Sequence, residues 1–252
     1  MSELSGITLY VSESGEDSGA TGWGTRREAA FRSIAFAVIK AARNDTIVIL
    51  PGCYRGMTVI PQSLTGLSLV GEGDVLLKGS AVISPAELET ERQNGITLYC
   101  MREWQANTQQ VYINGKSISQ IGGILYGDAP NPTDQQAVWP GRRPGDKASL
   151  FALPAGENAF YYDQAGKTLY LRYDALQPED LIEAAKDPAV IRNWADKVTL
   201  SGLTVMHANT SGYNRHGAVN ILNADDCLIE NLTVAYNDSI GLHVNGNNNR
   251  IE

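Results

Sequence analysis

The sequence predicts an all-β fold in which short parallel strands stack in coils, a parallel β-helix, and three observations carry that expectation. Near the end of the chain "AVIRNWADKVTLSGLTV", from Ala189, slides without gaps onto "AVNILNADDCLIENLTV", from Ala218, an offset of 29 residues (218 − 189 = 29). A period of roughly 20–30 residues with three short strands per unit is the pattern of a solenoid. The apolar bursts "MTVI", "LSLVG" and "VLLKG" are short and bounded by Gly or Pro, with no helical pattern between them, which argues against a βαβ sheet. Asn recurs at the turns ("NGNNNR"), where it tolerates left-handed backbone and can bond to neighbouring coils.

Each element follows in order. "GITLYVSESGEDSG" opens as an alternating strand and breaks into a polar, Gly-rich loop. In "REAAFRSIAFAVIKAA", Phe31, Ile34, Ala35, Val38 and Ala42 fall on one helical stripe. "NDT" ends it and "IVILPG" is the next strand. From residue 85 to 185 aromatic hairpins replace the short bursts, and "NAFYYDQAGKTLYLRYD" reads as two alternating runs joined by a turn. "QPEDLIEAAKDP" reads as a helical turn or a short re-entry segment. The organisation expected is a cap with first coils at 1–84, a β-rich insertion at 85–185 and further coils at 186–252. "HVNGNNNRIE" breaks off within a coil, so the coils are expected to continue past residue 252 or to associate with another copy through that open end.

The pair Asp225–Asp226 resolves into a turn. The 29-residue alignment sets Asp225 on Asp196, each after Ala, as a turn former requires, while Asp226 falls on Lys197. Aligning "AVNI" with "GLHV" sets Asn220 over His243, both facing out between inward apolar neighbours. Exposed strand polarity accounts for this stack; so does a site in which His243 is a general base or sugar ligand and Asn220 a substrate contact. The excess length of the longer coil is the loop "ANTSGYNRHG". It is either plain surface or a saccharide subsite, with Tyr213 as stacking face and Arg215 and His216 as donors. Asp238, in the turn before the His243 strand, is the nearest carboxylate and the catalytic candidate with His243.

A net charge of −8 disfavours unaided binding to nucleic acid or an anionic membrane, and no apolar run is long enough to span a bilayer. The 3 cysteines stand far apart and make no disulfide framework. No zinc spacing, P-loop, G-x-S-x-G or dinucleotide fingerprint is present. The first residues show no secretory signal pattern.

"LYVSESGEDSG…AAFRSIAFAVIKAARNDTIVILPGCY" resembles the opening module of right-handed parallel β-helix proteins of the pectate-lyase-like superfamily. "VYINGKSI…FYYDQAGKTLYLRYD…LIEAA" followed by "VTLSGLTVMHA" resembles a narrower group, β-xylosidase-type glycoside hydrolases whose helix is interrupted by an inserted β-sandwich. The resemblance implies a right-handed coil, hydrolysis of a polysaccharide or oligosaccharide, no cofactor, and an extracellular or periplasmic location. Two rivals stand beside it. One is a polysaccharide lyase or epimerase acting on a Ca²⁺-bound uronate, and the other a non-catalytic glycan-binding or structural shaft. Retaining hydrolysis needs two carboxylates roughly 5 Å apart, and the Asn220–His243 stack carries none.

Overall fold

The computed structural model describes residues 6–122, 145–174, 176–210 and 216–252. They fall into two compact units. One takes in the described residues up to Gly79, then Pro188–Ala208 and His216–Glu252; the other takes in those of Ser80–Asp187, with Asn209 and Thr210.

In the first unit β1 (Thr8–Val11) lies parallel to β2 (Thr46–Ile49), and the connection between them holds α1 (Ile34–Lys40). The helix is shorter than the apolar stripe suggests. Asp17 Oδ1 accepts the N–H groups of Arg32 and Ser33, each at 2.9 Å, and Oδ2 takes the Ser33 hydroxyl. Ser33 Oγ in turn accepts the Phe36 N–H, so the cap fixes the helix start at Ile34. Phe31 is buried by bridging Val11, while Ala37 replaces Ala35 on the buried face. Four short strands follow: β3 (Gly52–Arg55), β4 (Thr58–Ile60), β5 (Ser68–Gly71) and β6 (Val75–Lys78).

The second unit is one eight-stranded sheet. Its strands are β7 (Ser80–Ile83), β8 (Glu89–Gln93), β9 (Ile96–Met101), β10 (Val111–Ile113), β11 (Lys116–Gln120), β12 (Ala159–Asp163), β13 (Thr168–Arg172) and β14 (Ile182–Ala185). The order is β7-β14-β10-β11-β12-β13-β9-β8, antiparallel except for β11 beside β12. Phe160, Leu169, Leu171 and Ile182 anchor one apolar cluster, and Leu98, Leu150 and Tyr170 anchor another. The β12–β13 hairpin is present, its turn held by Asp163 Oδ1 on the N–H groups of Ala165 and Gly166. "IEAA", read from the sequence as part of a helical turn or a short re-entry segment, forms the strand β14, paired with β10 on one edge and β7 on the other.

Back in the first unit are β15 (Ile191–Asn193), β16 (Thr199–Met206), β17 (Gly217–Leu222), β18 (Leu228–Ala235), β19 (Ile240–Asn245) and β20 (Arg250–Ile251). All pairings here are parallel. One sheet runs β4-β15-β17-β19 and the other β1-β2-β5-β16-β18-β20, with β3 and β6 attached through β16. Inward side chains of both sheets, among them Ile60, Val219 and Ile221 from one and Leu69, Leu200 and Ile229 from the other, share a single core. The repeat is realised as register: Thr199 pairs with Leu228, and Ile229 with Ile251.

The carboxylates of the "AD" turns link successive repeats. Asp196 Oδ1 accepts the Asp225 N–H at 2.9 Å, and Asp225 Oδ1 accepts the Asn247 N–H at 2.7 Å. Lys197, Asp226 and Asn248 repeat the same left-handed φ of 58°, 57° and 55° beside them. Asp225→Ala is therefore expected to cost about 1–2 kcal/mol, as one repeat loses its acceptor for the next. Urea unfolding checks this; an unchanged midpoint would remove Asp225 from the stability of the stack.

Candidate functional site

The β4-β15-β17-β19 sheet sets Val59, Arg192, Asn220 and His243 in one row, each beside the next. Val219 and Ile221 point into the core, so the row lies on the opposite face of the sheet. Neighbouring strands are ~4.8 Å apart, which places Arg192 and His243 on either side of Asn220. His216 directly precedes β17. Its ring meets that of His243 edge to face, centroids 6.3 Å apart.

Asn220 is not exposed, as the alternation suggested, but fully buried. Its Oδ1 accepts the Gly217 N–H at 2.7 Å and its Nδ2 donates to the Gly217 carbonyl at 2.6 Å. Both ends of the amide grip the residue next to His216. Asn220 thus braces the start of β17.

Each of the basic side chains around it buries one unsatisfied nitrogen. Arg192 Nε, His216 Nδ1 and His243 Nδ1 are all buried and find no hydrogen-bond partner among the described residues. Burial, then the Arg192 charge and then His243 hold the His216 imidazole below its ordinary pKa, so it is neutral at pH 7. Asp238 lies two residues before β19, partly buried, its N–H donating to the Ala208 carbonyl. Tyr213 and Arg215 lie outside the described residues.

Arg192 escaped the sequence reading because the gapless alignment sets Ile191, not Arg192, beside Asn220. In the structure Ile191 pairs with Val219 and Arg192 with Asn220. The slip is absorbed in the following turn, where Asn223 adopts a left-handed φ of 49°. A one-residue change of register exchanges the two faces of a strand, and here it exchanges an isoleucine for a guanidinium.

A concavity of ≈ 470 Å³ lies away from this row, beside α1, lined by Glu13, Asp17, Arg32, Tyr54 and Arg55 among others. Its groups are engaged in the fold. Asp17 caps α1, and the Tyr54 hydroxyl donates to the Leu50 carbonyl, its pKa pushed up to about 12 by burial. Cys227, the buried thiol of the repeat, is likewise pushed up by burial. Among the described residues no group of three or more His, Cys, Asp or Glu side chains converges to hold a metal ion, and no helix is long and apolar enough to cross a membrane.

No protein-family model matches the sequence, and no curated protein matches it. Two solved structures are similar in fold. XylC in complex with xylose superposes with a TM-score of 0.57 at 16% identity, over 89% of this chain and 40% of that one. A glycoside hydrolase superposes with a TM-score of 0.59 at 11% identity, over 94% of this chain and 63% of that one. The chain spans less than two thirds of either neighbour, and at these identities the likeness is one of fold.

Proposed function

We propose that this chain is a right-handed parallel β-helix carrying a β-sandwich-like insertion, that it acts on oligosaccharides or polysaccharides, and that its reaction is glycoside hydrolysis. The observation that carries the reading is the basic cluster on the β4-β15-β17-β19 sheet: two imidazoles side by side with buried, unpartnered Nδ1 atoms next to a guanidinium. Buried polar groups are ordinarily satisfied, and an exception calls for an explanation, of which a role in chemistry is one. Sugars supply hydroxyls that both donate and accept. The xylose bound by one structural neighbour and the hydrolase identity of the other support the same direction.

In this reading Asp238 and His243 divide the proton transfers of glycosidic cleavage. His216 binds the sugar, Asn220 holds His216 in place, and Tyr213 and Arg215 flank the substrate. A location outside the cytoplasm belongs to the same reading. Arg192 favours a second one, elimination or epimerisation at a uronate, where a guanidinium neutralises the carboxylate and an imidazole takes the proton. Its Ca²⁺ finds no converging acidic set among the described residues, so no step is derived through the ion.

Calorimetric titration with xylo-oligosaccharides tests the site. His243→Ala is expected to weaken binding by ~1–3 kcal/mol. The same affinity in folded His216→Ala and His243→Ala variants would place the sugar elsewhere.

A further inference from the structure

The turn that carries Asp238 is tied to the matching turn one repeat earlier. β16 ends at Met206 and β18 at Ala235, and each is followed by a residue of left-handed backbone, His207 at φ 58° and Tyr236 at φ 53°. That conformation is costly for a bulky side chain and persists where the surroundings hold it. Backbone bonds run between the two turns. The His207 N–H donates to the Tyr236 carbonyl at 3.1 Å, and the Asp238 N–H donates to the Ala208 carbonyl at 3.3 Å. One side chain completes the tie. Asn237 Oδ1 accepts the Ala208 N–H at 2.8 Å, and its Nδ2 donates to the Ala235 carbonyl at 2.9 Å and the Val205 carbonyl at 3.4 Å.

We propose that Asn237 is a positioning residue for Asp238, fixing the backbone from which that carboxylate reaches the substrate. The proposal rests on the hydrolase reading above, in which Asp238 shares the proton transfers. Ala208 is held from both sides, its N–H by the Asn237 side chain and its carbonyl by the Asp238 N–H. It is fully buried in the core of the first unit, so the pair is referenced to a fixed point. On the other side of Asp238, β19 starts at Ile240 and is held by its pairing with β17. The earlier turn has Ala208 where the later one has Asn237 (237 − 208 = 29), so this turn shape forms without an amide side chain. What the amide adds is a fixed distance between the turns. A misplacement of about 1 Å at a reacting group costs on the order of 10²-fold in rate.

Hydrolysis of 4-nitrophenyl glycosides by the intact chain tests the proposal through a double-mutant cycle. Asn237→Ala is expected to lower kcat by about 10–10²-fold in the folded enzyme. KM should stay within about twofold, because the substrate contacts remain and only the transition state loses. In an Asp238→Asn background Asn237→Ala is expected to cost no further rate, since the group it positions is gone. Should Asn237→Ala fail to fold, Asn237→Gln, which keeps the amide but displaces it, carries the same cycle with the same expected signs. An unchanged kcat in the folded variant, with only the melting temperature lowered, would overturn the proposal and leave the hydrolase reading standing. An equal loss in the Asp238→Asn background would overturn it too. If Asp238→Asn itself keeps full turnover, or the wild-type chain shows none, the reading of Asp238 falls and the proposal falls with it.

Discussion

Gly71→Ala is expected to destabilise the first unit by at least ~3 kcal/mol, a large part of the ~5–15 kcal/mol that holds an ordinary domain together. The cause is a backbone contact. β16 pairs with β5 over Thr199–Ser201 and with β6 over Thr204–Met206, and it changes partner at Gly202, whose φ is 67°. There the carbonyl of Gly202 comes so near Gly71 that an added Cβ would sit 2.0 Å from the oxygen, with Leu203 Cδ2 at 3.0 Å. No rotamer change relieves a clash with a carbonyl, so the two strands must separate where both lie over the core. Guanidinium unfolding followed by circular dichroism measures the loss. A variant within ~0.5 kcal/mol of the wild type would show that the two passes yield at little cost.

The parallel pairing of the repeated strands was legible in the sequence because inward positions of a repeated strand are constrained by one core. "VTLSGLTV" and "LIENLTV" align as they pair, and the Asn220–His243 register was readable from "AVNI" and "GLHV". The β15–β17 register was not. "AV" occurs at the start of both segments and draws the alignment one residue off, while the compensating residue sits in a turn, where Asn223 takes it up without an apolar signature. Alternation also tells which face a side chain takes but not what covers that face, and for this reason Asn220 was read as exposed. "IEAA" has little intrinsic strand preference and becomes β14 because β7 and β10 supply partners on both edges, a tertiary effect that no local pattern contains. The helix stripe failed at its start for a similar reason: the cap on Ser33 depends on Asp17, a residue 16 positions away.

Asp238→Asn is expected to lower glycoside hydrolysis by ~10²–10⁴-fold, the range over which a positioned acid or base contributes. Asparagine keeps the shape of the side chain and removes its proton chemistry, so the melting temperature should stay near that of the wild type. The assay is release of aryl alcohol from a panel of chromogenic glycosides, with xylo-oligosaccharides as natural substrates. Full turnover by Asp238→Asn would remove this carboxylate from the reaction. No turnover by the wild-type chain across the panel would count against hydrolysis and in favour of the uronate chemistry that Arg192 suggests. His243→Ala should fall with Asp238→Asn if the two share the proton transfers.

The central claim is that the basic cluster on the β4-β15-β17-β19 sheet is where the saccharide sits. A crystal structure of the chain with a bound oligosaccharide tests it most directly. The account predicts sugar oxygens within hydrogen-bond distance of Nδ1 of both His216 and His243, with Arg192 Nε engaged and Asn220 still gripping Gly217. A saccharide seated instead in the cleft lined by Glu13, Asp17 and Arg55, with the two imidazoles unaltered, would contradict it.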